Sequence, residues 1–144
     1  MGATLPDYVP TDRLRATSAP VLLGGVAAIA RLLVEQRERD ARNGLRTAAF
    51  VSGYPGSPLG GVEAVLASSP DLGARPDFRY VAGINEEVAA TSVWGSQQPV
   101  PGLTTPFDGT VGVWYGKAPG VDRCGDPFRI GNLFGAHPRG GVLV

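Results

Sequence analysis

Asn85-Glu86-Glu87 places two adjacent carboxyls directly behind a residue type that caps helices. A carboxyl held in a cleft at such a point can pass a proton to or from a bound heterocycle. The same three residues also suit a helix start that does no chemistry. Asparagine accepts from the first free backbone N–H groups, and acids in the first turn oppose the helix dipole.

A second segment with chemical potential is Gly53-Tyr54-Pro55-Gly56-Ser57-Pro58-Leu59-Gly60-Gly61. Its glycines let backbone approach a ligand closely, and its prolines stiffen the loop. It lacks the Gly-Lys-Ser/Thr of a phosphate loop and the Gly-x-Gly-x-x-Gly of a dinucleotide fold. A ligand-facing loop and a rigid turn both fit it. Trp94, Trp114 and Tyr115 can stack on a cofactor or fill a core. The run Val113–Asp126 holds Lys117, Asp122, Arg123 and Asp126, which either face an anionic partner or form a solvated loop. The single histidine, His137, and the single cysteine, Cys124, have no complementary catalytic residue beside them, so a structural role suits each.

These segments need elements to hold them. Leu22, Val26, Ile29 and Leu33 recur at helical spacing, which predicts a helix from about Gly25 to Arg42 with a charged second half. Asn43-Gly44 ends it. Thr47–Val51 is a buried-strand candidate running into the glycine loop, and Val62–Leu66 begins a short helix. Phe78–Val81 is a second strand candidate, followed by a helix over Asn85–Gln98. Gly109–Tyr115 is a third strand, Gly116–Gly125 a loop, Pro127–Leu133 a helix, and Gly141–Val144 the start of a fourth strand. Strand and helix alternate, so the fold class is α/β, with a mostly parallel sheet flanked by helices. Ligands of such sheets bind at the carboxyl ends of the strands. The loops leaving Val51, Val81 and Tyr115 are therefore where a site is expected.

The 144 residues carry 13 basic and 13 acidic side chains. That balance points to no nucleic-acid footprint and no membrane-surface patch. No apolar run is long enough to span a bilayer. One cysteine excludes an internal disulfide and a cysteine-ligated cluster built by this chain alone, and fits a reducing, cytoplasmic setting. The 21 glycines and 13 prolines lie in short clusters between apolar segments, as in a loop-rich globular domain.

Four segments in order carry a resemblance: Val51–Gly61, Gly83–Gln98, Trp114–Asp126 and Gly140–Leu143. Together, over about Val21 to Val144, the sequence resembles the N-terminal part of the indolepyruvate:ferredoxin oxidoreductases, which are thiamine-diphosphate-dependent enzymes. The resemblance implies the pyrimidine-type domain of the thiamine-diphosphate-binding fold over residues 21–144, truncated at its C-terminus, behind an extended lead-in over 1–20. The family's chains continue past the equivalent of Val144, so a truncated product, one piece of a split gene or a prematurely ended reading frame is the expectation.

The activity implied is oxidative decarboxylation of an aryl 2-oxoacid with coenzyme A, giving an acyl-CoA, carbon dioxide and reduced ferredoxin. Thiamine diphosphate forms the carbanion, and [4Fe-4S] clusters in the missing part of the family protein carry the electrons away. Glu86 matches the acid that hydrogen-bonds the aminopyrimidine ring, with Gly53, Tyr54 and Pro55 shaping the cofactor pocket. Ser57 matches a hydroxyl position near substrate. Arg123 is the candidate for the substrate carboxylate, because a guanidinium can bind one bidentately. Glu87 is expected on the helix exterior. No metal ligand is expected here: Gly125-Asp126 is followed by Pro127-Phe128, unlike the Gly-Asp-Gly…Asn motif that holds Mg2+ and the diphosphate. That site belongs to another domain or a separate subunit. The isolated chain is therefore expected to be inactive. A non-catalytic remnant and a small binding module are the alternatives.

Overall fold

The structure is a computed structural model and describes residues 14, 20–56, 59–69, 72 and 74–144. Its elements are α1 (Gly25–Arg42), β1 (Thr47–Gly53), α2 (Gly60–Ser68), β2 (Phe78–Ala82), α3 (Glu86–Gly95), β3 (Gly109–Tyr115), α4 (Ala118–Arg123), α5 (Gly125–Phe134) and β4 (Gly141–Leu143). The four strands form one sheet in the order β2-β1-β3-β4, and every neighbouring pair is parallel. The chain is thus an α/β protein, with an all-parallel sheet flanked by helices.

Side chains alternate across each strand, so the sheet builds two cores. Ala49, Val51, Val113 and Tyr115 point to one face, where Leu33 and Val34 of α1 and Val62 and Leu66 of α2 cover them. Phe50 and Trp114 point to the other, against Ala90 and Val93 of α3 and Phe128 of α5. The strand order explains the division. The path from β1 to β2 moves one way along the sheet, and the paths from β2 to β3 and from β3 to β4 move the other way. Crossovers of one hand then place their helices on opposite faces. Connections diverge from the carboxyl ends of β1 and β3, which is where such sheets open a crevice.

α1 runs over the expected residues. Gly44, at φ 78°, ends it in the left-handed region that favours glycine. Leu22 is 87 % exposed and lies before the helix, so it does not extend the apolar stripe. The charged second half is not simply solvated. Arg37 and Asp40 are both buried. Thr47 Oγ1 donates to Asp40 Oδ2 at 2.6 Å, and Gln36 Nε2 donates to Asp40 Oδ1 at 2.8 Å. Arg37 pairs with Asp77, just before β2, and reaches the Thr47 carbonyl. These contacts dock α1 onto the starts of two strands.

The loop expected over Gly116–Gly125 contains α4 instead. Pro119 lies in its first turn, where a missing N–H costs nothing. α5 starts two residues earlier than expected, at Gly125. Residues 1–13 and 15–19 of the lead-in lie outside the described residues; Leu14 packs against the α1–α2 core. Among the described residues no helix is long and apolar enough to cross a membrane.

The hydroxyls of Tyr80 and Tyr115 share a hydrogen bond of 3.0 Å beneath α2. Burial raises both phenols above the ordinary tyrosine value; at Tyr80 the bond to Tyr115 and the nearby Glu63 raise it further. The unfolded chain releases these protons near pH ~10, whereas the folded chain still holds them. The folded state therefore binds more protons above that pH, and stability falls as pH rises through it. Urea-unfolding midpoints are expected to drop above about pH 10. The drop shrinks in a Tyr80→Phe/Tyr115→Phe double variant; an equal drop in that variant would contradict the assignment.

Candidate active site at the carboxyl ends of the strands

β1, β2 and β3 end level: Gly53 lies between Ala82 and Tyr115 in the register. The loops that follow therefore open on one rim. The Gly83 N–H donates to the Gly53 carbonyl at 2.9 Å, tying two of them together. Gly53 has a steric reason to be glycine: a Cβ there would lie 2.6 Å from Cδ1 of the Tyr115 ring. The next loop residues rise from this point, with Tyr54 exposed and Pro55 half-buried. Ser57 lies outside the described residues. Lys117, leaving β3, reaches over the first loop, with Nζ 3.8 Å from where a Cβ of Gly56 would sit.

The other half of the rim belongs to α3. Asn85 is its N-cap, accepting from the Val88 N–H at 2.8 Å, as the sequence predicts. Glu86, the first helical residue, is only 7 % exposed. Its backbone carbonyl accepts from Trp114 Nε1 at 3.1 Å, which fixes the helix start against β3. Its side chain lies against Gly120 of α4: a Cβ at Gly120 would meet Glu86 Cγ at 2.6 Å and Oε1 at 3.2 Å. Gly120 thus makes room for the carboxyl. Among the described residues no hydrogen bond or ion pair engages that carboxyl. The rest of the side chain is buried, and the carboxyl oxygens keep contact with solvent at the rim.

Glu87 points outward, as expected, and Arg123 lies beside it, at 3.9 Å from Nη2 to Oε2. The Arg123 side chain is 59 % exposed. Glu86 and Arg123 are therefore joined through the α3–α4 contact, with Arg123 on its outer side. Cys124 is fully buried. Burial pushes its thiol up, and Glu86 and Glu87 push the same way against Arg123, so the neutral thiol is favoured, in keeping with a structural role. Trp114 and Tyr115 are core residues. Trp114 meets Phe128 edge-on at 5.1 Å. His137 accepts from the Arg139 N–H in a local turn. Among the described residues no group of three His, Cys, Asp or Glu side chains is placed to hold a metal ion.

Sequence reasoning singled out Glu86 and the first loop but not Gly120, whose place against the Glu86 side chain appears only when α4 folds over α3. A glycine inside a polar, glycine-rich run carries no signal that distinguishes it from a loop glycine. Searches against protein-family models, curated proteins and solved structures find no match to this chain.

Proposed function

We propose that this chain is the pyrimidine-binding part of a thiamine-diphosphate-dependent aryl 2-oxoacid:ferredoxin oxidoreductase, and that its sheet and helices are the pyrimidine-type domain of that fold. The observation that carries this reading is Glu86, a largely buried acid at the carboxyl end of a parallel sheet, whose carboxyl reaches the rim and is engaged by no other described residue. A carboxyl in that state fits an aminopyrimidine ring, whose ring nitrogen can share its proton. Gly53, Tyr54 and Pro55 would line the ring's edge from the first loop, with Ser57 toward substrate.

Thiamine diphosphate, when bound, supplies the electron sink on which a 2-oxoacid loses carbon dioxide. The chain's own part is positioning and proton transfer. Glu86 would hold a proton at the ring nitrogen of a bound aminopyrimidine, the positioned proton transfer its carboxyl can supply. Trp114 fixes the Glu86 backbone, and Gly120 leaves the space its side chain occupies. Arg123 would take the substrate carboxylate after exchanging its exposed contact with Glu87, a contact that contributes little. Magnesium, the diphosphate and the iron–sulfur clusters fall to other domains or a separate subunit.

The test is ferredoxin reduction with an aryl 2-oxoacid and coenzyme A. The chain purified alone, supplied with thiamine diphosphate and Mg2+, gives no turnover. The chain recovered anaerobically from its own cells, with the components that accompany it, gives turnover dependent on both substrates. Turnover by the chain alone, or none by the recovered assembly, would overturn the proposal.

A further inference from the structure

We draw no further inference here: the strongest candidate, the apolar cavity between α3, α5 and β4 together with the exposed Leu133 and Phe134 of α5 and Leu143 of β4, carries nothing because nothing in the structure shows what covers it.

Discussion

Asp77→Ala is expected to destabilise the chain by about 3–5 kcal/mol, the range for removing one partner of a buried ion pair. The Arg37 side chain is 4 % exposed, and Asp77 is its charged partner. Its Nε contact to the Thr47 carbonyl is long, at 3.5 Å, and its Nη1 has no partner. Without Asp77 a buried guanidinium would keep one weak neutral contact. Arg75, which also reaches Asp77 at 3.4 Å, would then face Arg37 with nothing between the two like charges. The effect reads out as a lower urea midpoint at an unchanged slope. Replacing both members together, as Arg37→Met/Asp77→Leu, should recover most of the loss, because the desolvation penalty goes with the charges. A loss under about 1 kcal/mol in Asp77→Ala, the value of an exposed pair, would show that the contact is not a buried one.

Under the proposed function, Glu86→Gln is expected to lower the rate of 2-oxoacid decarboxylation by the assembly at least about a hundredfold, the lower range for a positioned acid or base. Glutamine has nearly the same shape, so the space beside Gly120 stays filled and the Trp114 bond to the backbone is untouched. Thermal stability should therefore change little. The amide cannot share a proton with the ring nitrogen, so the loss belongs in the chemical step and appears in kcat. A binding module that has kept the loop but not the chemistry behaves differently: the same variant would leave ligand affinity nearly unchanged and have no rate to lose. An equal loss of activity and of folding cooperativity would instead mark Glu86 as structural.

The local features of this chain were legible because they depend on near neighbours. The 3.6-residue period and Asn43-Gly44 set both ends of α1, and Asn85 marked the start of α3. Gly109–Tyr115 has the length and composition of a buried strand and is one. What the sequence hid depends on distant partners. Arg37 and Asp40 look like solvated charges on a helix face until Asp77 and Thr47 close on them. α4 contains Pro119 and Gly120 and has poor helix propensity, so its form comes from tertiary packing. Cys124, buried at its end, is part of that packing. The site divides the same way. Glu86 and the first loop stand out by residue type and position after a strand. The space that receives the Glu86 side chain, and the buried Gln97 Oε1 and Trp94 Nε1 left without a hydrogen bond, exist only once helices and strands meet.

The most direct test of the proposed function is release of labelled carbon dioxide from an aryl 2-oxoacid carrying the label at its carboxyl carbon. A tagged copy of the chain is recovered anaerobically from its own cells, stripped of thiamine diphosphate and then resupplied with it. Release is expected to be lost on stripping, restored by thiamine diphosphate with Mg2+, and accompanied by ferredoxin reduction when coenzyme A is present. Release that is indifferent to thiamine diphosphate, or no release from any such preparation, would contradict it.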